Sequence, residues 1–148
     1  GFVPCTPRGI MTLLKEYKID LEGKRALVIG RSRLVGNPIS TLLKHANATV
    51  TQAHSYSKDL RSLINENELI IVAIGKREFI KADMLNENHI VIDVGIHREN
   101  GKLYGDVEKD AYESVKMITP VPKGVGPMTI VSLLENTYDA YLIHEGMK

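Results

Sequence analysis

Two periods alternate in the apolar positions of the chain. Ile10, Leu13, Leu14 and Tyr17 recur at helical spacing behind Thr6-Pro7, a hydroxyl cap followed by proline at the first helical position, which predicts an amphipathic helix. After the turn Glu22-Gly23-Lys24, the run Ala26-Leu27-Val28-Ile29 is short, continuous and apolar, as expected of a strand buried on both faces of a parallel sheet. It ends at Gly30. A second helix is expected from near Asn37-Pro38, turning Ile39, Leu42 and Leu43 inward, before Thr49-Val50-Thr51 forms the next strand. The rhythm then repeats, with Leu60, Leu63 and Ile64 helical, Leu69-Ile70-Ile71-Val72 a strand, Met84 and Leu85 helical, and Ile90-Val91-Ile92 a strand. Strands alternating with helices give an α/β fold, a doubly wound parallel sheet with flanking helices.

Residues 96–107 break this rhythm. Asn100-Gly101 lies between short extended runs, and both residues tolerate the positive φ of a type I′ turn, so a small hairpin excursion is expected there. Farther on, Ile118-Thr119-Pro120-Val121-Pro122-Lys123-Gly124-Val125-Gly126-Pro127 reads as a rigid loop. It is expected to enter a closing helix with Ile130, Val131, Leu133, Leu134 and Tyr138 as its apolar positions. There is no repeat, low-complexity tract or internal linker, and 148 residues suit one core, so residues 1–148 are read as a single domain.

Composition narrows the function classes. With 43% hydrophobic and 25% charged residues and no apolar run near bilayer length, a membrane location is not expected. A formal charge of +1 supplies no global field to recruit nucleic acid or an anionic membrane, so any anion selectivity must be local. The lone Cys5 has no internal disulfide partner, which fits a reducing compartment and makes the cytoplasm the default. Gly1-Phe2-Val3-Pro4 does not resemble a signal peptide, and the missing initiator Met suggests either a piece of a longer protein or a leftover Gly at the start. His54, His89 and His97 lack metal-ligand spacing, while His45 and His144 fall near expected helix ends, so no metal is assigned. Cys5 has no identifiable base and is read as a packed thiol in a turn.

The richest segment is Gly30-Arg31-Ser32-Arg33-Leu34-Val35-Gly36-Asn37-Pro38, where a Rossmann-type fold keeps its phosphate-binding turn. Such a turn needs a tight bend, close backbone approach to a pyrophosphate, and a helix start whose N–H groups face the anion. Gly30 and Gly36 meet the first two requirements. Ser32 replaces the middle glycine of the usual G-x-G-x-x-G pattern, and its hydroxyl can donate to a phosphate instead. The alternative is a plain strand-to-helix turn. NAD enzymes tend to place a carboxylate about 20 residues beyond the glycines, at the end of the second strand, to hold the ribose 2′-hydroxyl. Here the region reads Gln52-Ala53-His54-Ser55-Tyr56-Ser57-Lys58, with no acid before Asp59. A 2′-phosphate would find Arg31, Ser55, Ser57 and Lys58, which favours NADP over NAD. The alternative is a set of ordinary solvated polar residues.

Several segments together resemble the bifunctional methylene-tetrahydrofolate dehydrogenase/cyclohydrolase family. They are Pro4-Cys5-Thr6-Pro7-Arg8-Gly9, residues 30–38, Ala48-Thr49-Val50-Thr51 with His54-Ser55, Val91-Ile92-Asp93-Val94-Gly95-Ile96, Gly105-Asp106-Val107, and residues 119–129. They occur in the family's order and span nearly the whole chain, the last being the most specific. The resemblance implies oxidation of methylene-tetrahydrofolate to the methenyl form by hydride transfer to a nicotinamide, then hydrolysis to the formyl derivative. It implies cofactor contacts at Gly30, Arg31, Ser32, Val35, Gly36 and Pro38, with Arg31 and Ser55 near a 2′-phosphate. Gly75, Gly95, Ile96 and Thr129 would lie along the nicotinamide end. Pro122, Gly124, Gly126 and Pro127 would form a lip between cofactor and folate. A homodimer is implied as well.

Two departures matter. Lys123 stands where the family commonly has glycine, and it either touches the folate's anionic tail or, the reading preferred, projects into water. The family's catalytic lysine, its partner tyrosine, and the glutamine and aspartate that hold the pterin belong to an N-terminal domain that these 148 residues do not include. No catalytic residue is therefore assigned, and the folate partner is expected to be held mainly by that missing domain. The family's tyrosine precedes its lysine by four residues; Tyr112 and Lys116 have that spacing but lie next to the expected strand Val115-Lys116-Met117-Ile118 and outside any matching context, and are read as coincidence. Asp93 and Asp106 are read as turn and loop formers. Two rivals remain, another two-domain dehydrogenase of shikimate type, against which residues 120–129 argue, and a non-catalytic nucleotide-binding or dimerisation module.

Overall fold

The computed structural model describes residues 6–119 and the short strand Val131–Ser132. Helix α1 (Pro7–Glu16) begins as the sequence requires, with Thr6 in extended conformation and its hydroxyl accepting the Gly9 N–H at 3.0 Å. Strand β1 (Arg25–Ile29) follows, then α2 (Gly36–His45), β2 (Thr49–Ala53), α3 (Leu60–Asn65), β3 (Leu69–Val72) and β4 (Ile90–Asp93). Next come β5 (His97–Glu99), β6 (Lys102–Tyr104), β7 (Met117–Ile118) and β8 (Val131–Ser132). Among the described residues the main sheet runs β2-β1-β3-β4-β7-β8, with every pairing parallel except that of β8 with β7.

The strands at the centre are buried on both faces, and the period of two sorts their side chains. Leu27, Ile29, Ile70, Val72 and Val91 enter one core with Ile64 of α3 and Ala111, Val115 and Ile118. Ala26, Val28, Leu69, Ile71, Ile90 and Ile92 enter the other, against Ile10, Leu13 and Leu14 of α1 and Ile39 and Leu43 of α2. Each of the buried Leu, Ile and Val side chains contributes about 1.5–3 kcal/mol relative to an exposed one. Helices thus cover both faces, the doubly wound Rossmann-type arrangement expected from the pattern.

The predicted hairpin is β5–β6. Asn100 and Gly101 have φ of 51° and 79°, the signature of its tight turn. Its position is fixed by Tyr104, whose ring lies 3.7 Å under the Arg77 guanidinium and 4.7 Å from the Lys109 ammonium, while Arg77 also pairs with Glu99.

Three expectations need correction. Met84 and Leu85 do not lie on a full helix: only the single turn Ala82–Met84 forms, in 3₁₀ geometry. The cause is local turn chemistry, since Asn86 Oδ1 accepts from the Asn88 N–H and His89 Nδ1 from the Asn86 N–H. Val131, expected on the closing helix, is instead a strand residue, its backbone paired with Ile118 on the free edge of β7, and valine is a residue type that strands favour. The remaining positions of that helix lie outside the described residues. The segment 115–118, read as one strand with Lys116 in it, pairs only over Met117–Ile118. Tyr112 lies in the 3₁₀ turn Lys109–Glu113 and Lys116 beyond it, so the two do not share a helix face.

Candidate functional site

The sheet order places the site. From β1 the chain moves outward through α2 to β2, then returns to β3 on the other side of β1, so the direction of winding reverses between β1 and β3. In open α/β sheets the crevice at the carboxyl ends of the strands at such a switch is where ligands bind. Gly30 stands there, donating its N–H to Ala53 O at 2.7 Å, while the Ala73 N–H reaches Ile29 O at 2.8 Å. Its φ of +136° is one that side chains rarely adopt, and a Cβ would lie 2.3 Å from Ala73 O. Gly36 is closed in the same way, its own Cβ position being 2.6 Å from Gly30 O. Both glycines are required by close backbone approach.

Ser32 has a structural role besides the phosphate donation expected of it. Its Oγ accepts the N–H groups of Val35 at 3.1 Å and Gly36 at 3.2 Å, and its carbonyl accepts from Asn37, so it caps α2 from outside. Two N–H groups that the sequence offered to an anion are therefore already taken. An oxygen that accepts two bonds still has its own proton to donate, directed away from those N–H groups. Among the described residues, the N–H groups of Ser32, Arg33 and Leu34 meet no acceptor, and Arg31 and Arg33 are exposed with no ion-pair partner. The turn keeps anion-binding capacity at its tip. Val35 and Pro38 are half-buried beneath it.

Gln52 was not singled out in the sequence. Its Nε2 donates to Gly30 O at 3.0 Å and to Asn37 Oδ1 at 2.7 Å, tying β2 to both ends of the glycine turn. No local signal marks it, because its partners are 22 and 15 residues away and only the β1–β2 register brings them together. Beyond β2, Ser55 and Tyr56 stand exposed on a turn held by the His54 N–H to Ser57 Oγ, Ser57 N–H to His54 O, and Tyr56 N–H to His54 Nδ1.

The loops after β3 and β4 are built around two buried carboxylates. Asp93, 1% exposed, accepts the Gly95 and Asp106 N–H groups on Oδ1 and the Val107 N–H on Oδ2, each at 3.0 Å. Asp106, 0% exposed, accepts from Ile74 and Gly75 N–H on Oδ2 at 2.9 and 2.8 Å and from His97 Nε2 on Oδ1 at 2.7 Å. A Cβ on Gly95 would lie 2.2 Å from Asp106 Oδ1, so that position is glycine for reasons of space. Burial pushes the Asp93 carboxyl up to about 7; the neighbouring Asp106 charge adds to this and the three N–H donors oppose it. Thr119 Oγ1 accepts the Asp93 N–H at 2.8 Å. Both acids thus shape loops.

The structure brings Gly30, Arg31, Ser32, Val35, Gly36, Pro38, Ser55, Gly75, Gly95 and Ile96 to loops at the carboxyl edge of the sheet or to the first turn of α2. Pro122, Gly124, Gly126, Pro127 and Thr129 lie outside the described residues. No group of acids, histidines or cysteines able to hold a metal occurs among the described residues, and no described helix is long and apolar enough to cross a membrane.

Known proteins with this pattern are numerous. Residues 4–145 match the family model for the tetrahydrofolate dehydrogenase/cyclohydrolase NAD(P)-binding domain. The chain is 58% identical over 140 residues to the bifunctional protein FolD of Methanosphaerula palustris, covering 94% of this chain and 50% of that protein. It is 55% identical over 139 residues to FolD of Campylobacter hominis, covering 93% and 49%. The crystal structure of the bifunctional FolD from Campylobacter jejuni superposes with a TM-score of 0.78 at 50% identity, over 97% of this chain and 51% of that one. The Trypanosoma brucei FolD, complexed with NADP cofactor and inhibitor, gives 0.74 at 36% identity, over 84% and 46%. The chain spans about half the length of these relatives.

Proposed function

Since the chain belongs to the tetrahydrofolate dehydrogenase/cyclohydrolase family as its NAD(P)-binding domain, we propose that it binds NADP across the β1–β3 switch point. The whole protein would oxidise 5,10-methylene- to 5,10-methenyl-tetrahydrofolate and hydrolyse that to the 10-formyl derivative, a step in one-carbon metabolism. The observation that carries the reading is the glycine turn: N–H groups and two arginines at its tip that meet no partner among the described residues, with no acid at the end of β2. The NADP in the Trypanosoma brucei relative supports the same choice.

NADP, when bound, supplies the hydride acceptor. Gly30 and Gly36 admit the pyrophosphate to the backbone, and Ser32 and the turn N–H groups hydrogen-bond to it. Arg31 and Ser55 hold the 2′-phosphate, for which a guanidinium fork is well shaped. Gly75, Gly95, Ile96 and Thr129 line the nicotinamide, and Pro122, Gly124, Gly126 and Pro127 separate it from folate. The chain's share of catalysis is orientation, since hydride transfer needs the two carbons close and aligned. The acid–base groups and most of the folate contacts would come from the other half of the protein's length, so this chain alone binds cofactor without turnover. A cytoplasmic homodimer is the expected setting. Titration of the chain with NADP and NAD tests the proposal: NADP should bind more tightly, and Arg31→Ala should bring the two affinities together. Tighter NAD binding by the unaltered chain sinks it.

A further inference from the structure

Three large apolar side chains stand open to solvent among the described residues: Leu34 at 83%, Tyr56 at 81% and Ile96 at 46% exposure. Each lies on a loop that leaves the carboxyl end of a strand, β1, β2 and β4 respectively, at the edge where the glycine turn sits. All three therefore stand at the edge of the sheet that carries the proposed site, where a bound dinucleotide would come against them. Ile96 already belongs to the nicotinamide side of the proposed site, but the function above gives Tyr56 no role.

We propose that Tyr56 is the platform on which the adenine ring of the dinucleotide stacks, an inference that rests on the NADP reading and adds a contact to it. Place is the first ground. The end of the strand beside β1 is where this topology puts the adenosine ribose, and Tyr56 follows Ser55 directly on that loop. The two loops start side by side, as the Gly30 N–H to Ala53 O bond at 2.7 Å requires.

Rigidity is the second ground. The turn that carries Tyr56 is closed by Ser57 Oγ on the His54 N–H at 2.9 Å, His54 O on the Ser57 N–H at 2.9 Å, and His54 Nδ1 on the Tyr56 N–H at 3.2 Å. The ring itself stands 6.1 Å from the His54 imidazole at a 59° tilt. A side chain with two rotatable bonds on a fixed turn loses little freedom when a flat partner settles on it. Chemistry is the third ground, since a phenol ring presents a π-face to a purine and an apolar body to the ribose, while its hydroxyl stays in water.

Stacking is blind to the 2′-phosphate, which separates it from the part played by Arg31. Dissociation constants of NADP, NAD and 2′,5′-ADP, the last lacking nicotinamide, are measured for the chain and for Tyr56→Ala, Tyr56→Phe and Arg31→Ala. Tyr56→Ala should weaken all three ligands by one common factor of roughly 5- to 150-fold. Tyr56→Phe should keep affinity within about twofold, because it keeps the ring. Arg31→Ala should change the NADP to NAD ratio, which Tyr56→Ala leaves alone. The side chain is exposed, so its truncation removes little packing and the variant should fold as the parent does. Equal affinities in Tyr56→Ala and the parent overturn this proposal alone, as does a loss for NADP without one for 2′,5′-ADP. A parent chain that binds neither NADP nor 2′,5′-ADP overturns the NADP reading and this one with it.

Discussion

Two buried ionisable residues pull the pH response of this chain in opposite directions. His89 is buried and neutral, its Nδ1 accepting the Asn86 N–H and its Nε2 donating to Ile64 O at 2.9 Å, and burial lowers its pKa. The unfolded chain takes up that proton near 6.5 and the folded one does so only lower, so His89 weakens the fold as pH falls below about 6.5. Asp93 is the reverse case. Its unfolded carboxyl loses its proton near 3.8, whereas the folded one holds it to about 7. The folded state therefore binds more protons in that window, and the Asp93 contribution drains away as pH rises from about 4 to about 7. Asp93→Asn, which cannot ionise, should remove a downward slope of at most about 1.4 kcal/mol per pH unit from that interval. Urea unfolding at half-unit steps from pH 5 to 8 reads it; identical pH slopes in parent and variant would refute the assignment.

At the scale of elements, the glycine turn and α2 stand or fall together. Ser32 Oγ holds two N–H groups at the start of α2, and an Ala there leaves both to water. Ser32→Ala should cost about 1 kcal/mol of stability, the usual worth of a cap, and should also weaken NADP by loosening the turn. Chemical denaturation and cofactor titration on the same variant check it, and a variant as stable as the parent would show that the cap does not matter. The elements themselves were largely readable. Thr6-Pro7, the continuous apolar strands and Asn100-Gly101 are local signals, each acting through the residue's own backbone preference. Gln52, the Asp106–His97 pair and β8 were not, since each depends on partners brought near only by strand register. The site was legible for the same division of reasons. Gly30 and Gly36 announce a tight turn, but nothing local says that Ser32 turns inward to cap a helix, or that Gly95 must be small because Asp106 lies against it.

For the whole molecule, the loops that carry Arg31, Ser55 and Tyr56, Gly75 and Ile96 all leave the carboxyl ends of strands of the one sheet. A ligand bound across these loops, as proposed for NADP, would tie together segments from four strands and should stabilise the entire fold. With NADP at about 100 times its dissociation constant the gain is about 2.7 kcal/mol, a rise of roughly 5–10 °C in melting temperature for a chain of this size. NAD at the same concentration should give a smaller rise, and scanning calorimetry distinguishes the two; an equal rise with NAD would remove the argument from Arg31 and Ser55.

One clasp reaches past all of these loops. Thr119, fastened to the main chain of Asp93, is the last residue before the proline-rich stretch proposed for the folate side. Asp93 also holds the Gly95 N–H, on the side proposed for the nicotinamide, so one residue anchors both Thr119 and that loop. Under the proposed function, that one residue would give the two partners of the hydride transfer a common point of reference.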